Sequence, residues 1–167
     1  MSTLKSVAVA GAGSIGCFVG GMLRAAGHPV SLLARPRLIE DINRHGLKVT
    51  SFENIEHRLT PAEIKLSDDP AAIFADADII LVTVKSDDTA EIADLIAQHA
   101  GKNAVIVSLQ NGTGNVCVLR DALPDHDVPA GMVPFNVLSL GDGHFYRATS
   151  GDILLEKDDP DIAKLLS

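Results

Sequence analysis

Short, wholly apolar runs alternate along this chain with stretches in which apolar residues recur at helical spacing. Val7-Ala8-Val9-Ala10 runs directly into Gly11-Ala12-Gly13-Ser14-Ile15-Gly16, after which helix-forming residues continue to Ala26. Gly27 stops that helix, Pro29 prevents its continuation, and Val30 to Ala34 reads as a second buried strand. The segment from Val7 to Ala34 is therefore a βαβ unit. Both strands are apolar on both faces, which places them inside a parallel sheet covered by helices.

The alternation continues. Residues 36–45 read as a shorter helix, and Leu47 to Phe52 with Glu56 to Thr60 as a small hairpin or meander at one edge. Ile79 to Val84 is a buried strand, Asp88 to His99 a helix with Ile92, Leu95 and Ile96 on its apolar face, and Ala104 to Leu109 a further strand. The loop Gln110 to Gly114 leads into a helix over Asn115 to Leu123, closed by Pro124. From Val128 the pattern changes to strand-like segments at Ala130 to Leu140, Phe145 to Thr149 and Ile153 to Glu156. They are separated by Gly141-Asp142-Gly143 and Ser150-Gly151-Asp152, which have the composition of hairpin turns. The predicted fold is α/β, a Rossmann-type, doubly wound and mainly parallel sheet with antiparallel strands at the C-terminal edge. Residues 1–157 would make the nucleotide-binding domain. Residues 158–167 would begin a linker and helix, since Asp158-Asp159-Pro160 breaks the pattern before Ile162 to Leu166.

A chain of 167 residues is the size of one domain, and 46% apolar with 22% charged residues excludes a disordered tail or a fibre. Fourteen basic against 22 acidic residues give a net charge of -8 with no basic cluster, which argues against a nucleic-acid groove or a polybasic membrane face. The apolar runs are too short to span a bilayer. Cys17 and Cys117 are isolated from each other and from histidines, which points to a reduced, cytoplasmic protein with two small core thiols and no metal site. His28, His45, His57, His99, His126 and His144 fall at element ends, where surface positions are expected.

The chemistry concentrates at the ends of the apolar strands. In a strand–turn–helix context a GxGxxG run is the dinucleotide fingerprint. Gly11 permits the tight turn, Gly13 lets the backbone approach a pyrophosphate, and Gly16 lets the helix pack on the strand. Ser14 adds a backbone or hydroxyl contact to phosphate, and the helix N-terminus offers unpaired N–H groups. At the end of the second strand the acid that would bind an adenosine ribose 2′-hydroxyl is missing, and Arg35 and Arg37 stand there instead. Guanidinium groups at this place suit a 2′-phosphate and favour NADP(H) over NAD; their alternative is as solvated surface charges. Lys85 follows the strand Ile79 to Val84 on the same edge of the sheet, and Asn111 occupies the equivalent place after the next strand, where it is otherwise an Asn-Gly turn residue.

Taken together, the Gly11 to Gly16 turn, Ala34-Arg35, Val82-Thr83-Val84-Lys85, Leu109-Gln110-Asn111-Gly112 and Gly131-Met132-Val133-Pro134-Phe135-Asn136 resemble the N-terminal domain of the ketopantoate reductase (2-dehydropantoate 2-reductase) family over nearly the whole chain. The resemblance implies NADPH-dependent reduction of ketopantoate to pantoate, a step toward pantothenate and coenzyme A. It implies that Gly11, Ala12, Gly13, Ser14, Ile15 and Gly16 hold the pyrophosphate, Arg35 the 2′-phosphate, and Lys85 the cofactor at the cleft. Asn111 would touch both cofactor and substrate, and Val137 would lend a backbone contact. The family's proton-donating lysine, substrate-binding asparagines and cofactor-proximal acid belong to a helical C-terminal domain, so the resemblance places no catalytic residue in this chain. The expected partner is a small 2-keto acid, with a homodimer as an allowed assembly. Two other readings remain open: a free-standing NADP-binding, redox-sensing module, and the cofactor domain of another two-domain dehydrogenase acting on a 2-keto acid, an opine or glycerol phosphate.

Overall fold

The structure, a computed structural model, describes residues 4–156 and 159–167. Its centre is a sheet of five parallel strands in the order β5-β2-β1-β6-β7, formed by β1 (Val7–Ala10), β2 (Val30–Leu33), β5 (Lys65–Ser67), β6 (Ile79–Val82) and β7 (Val105–Ser108). Val7 sits between Val30 and Ile79, and Ala10 between Leu33 and Val82, so the apolar runs are in register across the middle of the sheet.

Strand alternation divides the core in two. Val7, Val9, Leu32, Leu81 and Val107 point to one side, where they meet Phe18 and Leu23 of α1 (Ser14–Ala25). Ala8, Ala10, Ile80, Val82 and Ile106 point to the other, against α3 (Pro70–Phe74), α4 (Thr89–His99) and α5 (Thr113–Ala122). With both faces covered, these strands carry no polar alternation, and that is why they read as continuous apolar runs.

Beyond α1 lies a second sheet, in the order β4-β3-β10-β9, built from β3 (Leu47–Ser51), β4 (Glu56–Leu59), β9 (Val137–Gly141) and β10 (His144–Arg147). The helix α1 is thus held between two sheets, and adjacent glycines let it approach both. A Cβ on Gly20 would lie 2.8 Å from Leu32 Cδ2, and one on Gly21 would lie 2.7 Å from Val49 Cγ1. Gly21→Ala should therefore lower stability by about 1–2 kcal/mol, overpacking against β3 outweighing the gain in helix propensity. Urea unfolding checks this; an unchanged midpoint would mean that the second sheet moves aside at no cost.

The Rossmann-type α/β fold stands, with finer differences. The antiparallel pairs β3–β4 and β9–β10 belong to the second sheet, in which β10 pairs parallel with β3. Among the described residues only β8 (Gly131–Met132) and β11 (Leu154–Leu155) form an antiparallel pair beside the main sheet, where Ala130 bridges Ser108 of β7. Gly141 to Gly143 turns a hairpin as expected. Ser150 to Asp152 does not, because the strands on either side of it pair with different partners. Strand β5 and helix α3 were not anticipated. β5 has three residues and one apolar side chain, and its place comes from pairing with β2. α3 did carry a signal: Asp69 caps it by accepting from the Ala71 N–H at 3.0 Å, and Pro70 holds the first helical position.

Cys17 is buried, and burial pushes its thiol up to about 12, which makes it a core residue and no nucleophile. Cys117 corrects the expectation of a second core thiol. α5 turns Val116 and Leu119 inward, which leaves position 117 exposed. The boundary proposed between residues 157 and 158 lies outside the described residues. The last helix, α6 (Pro160–Leu166) with Asp159 as its cap, buries Ile162 and Leu165 in the same core as α1. Among the described residues no helix is long and apolar enough to cross a membrane.

Candidate functional site

Strand order reverses at β1, with β2 and β5 on one side and β6 and β7 on the other, so the helices that follow β1 and β6 pack on opposite faces and a crevice opens at the carboxyl ends of the strands. Gly11 takes φ +92°, and a Cβ there would overlap Val84 Cγ1, so the turn after β1 and the loop after β6 touch through a missing side chain. The turn is locked from both sides. The Ala12 N–H donates to the Leu33 carbonyl at 3.0 Å and the Gly13 N–H to the Gly11 carbonyl at 2.8 Å. Thr83 Oγ1 donates to that same Gly11 carbonyl at 2.6 Å. A Cβ on Gly16 would lie 2.6 Å from Thr83 Oγ1 and 2.9 Å from Val9 Cγ1, so this glycine does pack the helix on the strand.

Gly13 differs from its neighbours, because a Cβ there would meet nothing within 4 Å. It is also the N-cap of α1, and no side chain caps the helix. The N–H groups of Ser14, Ile15 and Gly16 form the first helical turn and lack intrahelical acceptors, and the positive end of the helix dipole lies with them. Backbone donors at an open, uncapped helix start are suited to an anion.

The crevice encloses about 850 Å³. Gly11, Ala12 and Gly13 form one wall, and Thr83, Val84 and Lys85 contribute from the β6 loop. Another wall comes from α2 (Pro36–His45) and its N-cap Arg35, which bring Arg35, Arg37 and Arg44 to the lining. Pro36 at the first helical position sets the direction in which the chain leaves β2, and hence where Arg35 sits. The Arg35 guanidinium is 90% exposed and stands 4.0 Å from Asp88 across the crevice. A pair so exposed contributes about 0–1 kcal/mol, so Arg35 is readily drawn to a stronger anion.

The far end is closed by the β9–β10 turn, whose Ser139, Gly141 and Asp142 reach the crevice. Its attachment is specific. The Gly143 N–H donates to Asp41 Oδ2 at 2.8 Å, and His45 Nε2 stands 3.4 Å from Asp142 and 3.9 Å from Asp41. These three side chains have the spacing of metal ligands, yet they already tie α2 to the turn.

Of the residues expected at the site, Gly11, Ala12, Gly13, Arg35, Arg37 and Lys85 line this one crevice. Ser14, Ile15 and Gly16 follow in the first turn of α1. Asn111 is exposed on the loop after β7 and is not among the lining residues; neither is Val137, whose side chain packs against the core at the start of β9. Thr83, Arg44 and the β9–β10 turn were missed. Thr83 had a signal, as a hydroxyl closing an apolar strand, whereas the turn had none, because its place depends on contacts formed across the chain.

The ketopantoate reductase PanE/ApbA family model matches residues 7–159. A 2-dehydropantoate 2-reductase of Halobacterium salinarum is 31% identical over 147 residues, 87% of this chain and 47% of that protein. That of Archaeoglobus fulgidus is 36% identical over 117 residues, 70% of this chain and 35% of the relative. Among solved structures, a PanE/ApbA family ketopantoate reductase from Ralstonia eutropha superposes with a TM-score of 0.86 at 34% identity, covering 96% of this chain and 53% of that one. The chain thus spans about half the length, or less, of the relatives it matches. The match runs continuously through the glycine turn, the arginine wall and both strand-end loops, and this chain belongs to the ketopantoate reductase family.

Proposed function

We propose that the crevice binds NADP(H), and that the chain is the cofactor-binding part of an enzyme reducing the 2-keto group of 2-dehydropantoate to pantoate. One observation carries this reading: the open, uncapped glycine turn, the arginines at the end of β2 and Lys85 line the same crevice. The fit is good in size, since a crevice of about 850 Å³ lies within the range of cofactor sites. Its lining pairs Arg35, Arg37, Arg44 and Lys85 with Glu40, Asp41, Asp88 and Asp142, so the arginines offer a phosphate local partners and not a net positive field.

In this reading the N–H groups of Ser14, Ile15 and Gly16 hold the pyrophosphate, Gly13 leaves them open, and Gly11, locked by Thr83, fixes their direction. Arg35, with Arg37 beside it, takes the 2′-phosphate through charge-assisted hydrogen bonds. Lys85 holds the cofactor where the cleft opens toward substrate, Asn111 reaches cofactor and substrate from the next loop, and Val137 offers its backbone. The bound nicotinamide supplies the hydride. The alkoxide that forms needs a proton, and we assign its donor to a part of the reductase outside these 167 residues. This assignment accords with the relatives' greater length and with a cytoplasmic biosynthetic role.

Titration of the chain with NADPH and NADH, followed by nucleotide fluorescence, tests the reading. Saturable binding tighter for NADPH is expected, with little turnover of 2-dehydropantoate by the chain alone. Failure to bind either dinucleotide sinks the cofactor site, and rapid turnover sinks the external proton donor.

A further inference from the structure

Beneath the crevice floor four polar side chains are buried in one connected network. Thr89 is 1% and Ser108 2% exposed, and Gln110 and Asn115 are each 7% exposed. Gln110 Nε2 donates to Thr89 Oγ1 at 2.8 Å and to the Val84 carbonyl at 3.0 Å. The Thr89 hydroxyl passes the chain on, donating to Asn115 Oδ1 at 3.2 Å. Asn115 Nδ2 donates to Ser86 Oγ at 3.0 Å and to the Asn111 carbonyl at 2.9 Å, and Ser108 Oγ donates to Gln110 Oε1 at 3.3 Å. Among the described residues no buried side-chain nitrogen or oxygen lacks a hydrogen bond, so the network is satisfied throughout.

The anchor points lie on either side of one residue. Val84 and Ser86 flank Lys85: the first is held through its carbonyl by Gln110 and the second through its hydroxyl by Asn115. The Lys85 carbonyl itself accepts from the Asp88 N–H at 3.0 Å. The Lys85 side chain is exposed, while the backbone is held at the Val84 and Lys85 carbonyls and the next residue is tied through its Ser86 hydroxyl. An apolar filling between the two loops would be at least as stabilising as buried amides. What a satisfied polar network adds is one defined arrangement of the groups it joins, because any other leaves a buried donor or acceptor unpaired.

We propose that Gln110, Thr89 and Asn115 are positioning residues for Lys85, setting from below the place from which that lysine meets the cofactor. The inference rests on the reading of the crevice as a dinucleotide site. It makes the loop after β7 a support for the loop after β6, and it gives Gln110 and Asn115 a function that does not require either to touch the ligand.

The test is a double-mutant cycle read by NADPH titration. Thr89→Val keeps the shape and removes the hydroxyl, and it should weaken NADPH binding about five- to tenfold, while Thr89→Ser stays within about twofold of the parent. In a Lys85→Ala background Thr89→Val should change affinity by less than about twofold, because the group being positioned is gone. Ser86→Ala cuts one arm of the network at an exposed residue, which leaves the core untouched should Thr89→Val fail to fold. It should weaken binding about two- to threefold with Lys85 present and leave it unchanged without. Equal effects in both backgrounds, or no effect of Ser86→Ala, overturn the positioning role and leave only a structural one. A parent chain that binds neither dinucleotide overturns the site itself, and this inference with it.

Discussion

Gly13→Val is expected to leave the chain folded and to remove dinucleotide binding, whereas Gly11→Ala two residues earlier is expected to unfold the turn itself. The contrast follows from where a Cβ would go. At Gly13 it enters open space over the start of α1, so the protein has nothing to rearrange, and the loss of a glycine N-cap costs less than about 1 kcal/mol. The open space is where an anion must come to reach the N–H groups of Ser14, Ile15 and Gly16. Each backbone hydrogen bond to a charged group contributes about 1.5–3 kcal/mol, so keeping a pyrophosphate from two of them lowers affinity about hundredfold or more, for NADPH and NADH alike. At Gly11 the new methyl would overlap Val84, and the backbone stands at φ +92°. Strain and overpacking together should lower stability by about 3 kcal/mol. Urea unfolding and nucleotide titration of both variants separate the two effects. A Gly13→Val chain that still binds would move the pyrophosphate away from the glycine turn.

Arg35→Ala should weaken NADPH binding about 10- to 100-fold while changing NADH binding by less than about threefold. A guanidinium paired with a phosphate dianion contributes about 1.5–3 kcal/mol, and NADH lacks the group that would receive it. The side chain is available for this, since its ion pair with Asp88 is exposed and weak. Salt should mimic the substitution in part, lowering affinity for NADPH more than for NADH, because the crevice is open and ions screen the contact. Parallel titrations at two ionic strengths measure both effects. Equal loss for the two dinucleotides would place Arg35 on a phosphate common to both and remove the argument for NADP(H).

Much of the fold was legible in the sequence because the central strands are short and buried on both faces. Val7 to Ala10, Ile79 to Val82 and Val105 to Val107 are unbroken apolar runs, and Gly11, Gly13 and Gly16 mark the turn between the first strand and its helix. Even the edge on which ligands gather follows from strand–helix alternation, which is why Lys85 and Arg35 were found at one crevice. What escaped was either too short to show periodicity, as with β5, or dependent on partners distant in the chain. The placing of Cys117 belongs with these, since which side of α5 is exposed depends on how the helix lies on the sheet.

The local sequence of this protein determined its βαβ elements, its glycine turn and the charge at the end of β2, because backbone sterics and burial on both sides of a strand act over a few residues. The tertiary structure alone decided that the late antiparallel strands form a second sheet around α1, and that their turn closes the crevice through a hydrogen bond between Asp41 and Gly143, 102 residues apart. It alone decided that Gln110, Thr89 and Asn115 meet beneath Lys85. Such contacts have no local signature, since a buried amide or a close backbone approach acquires its meaning only from the group that folding brings opposite it.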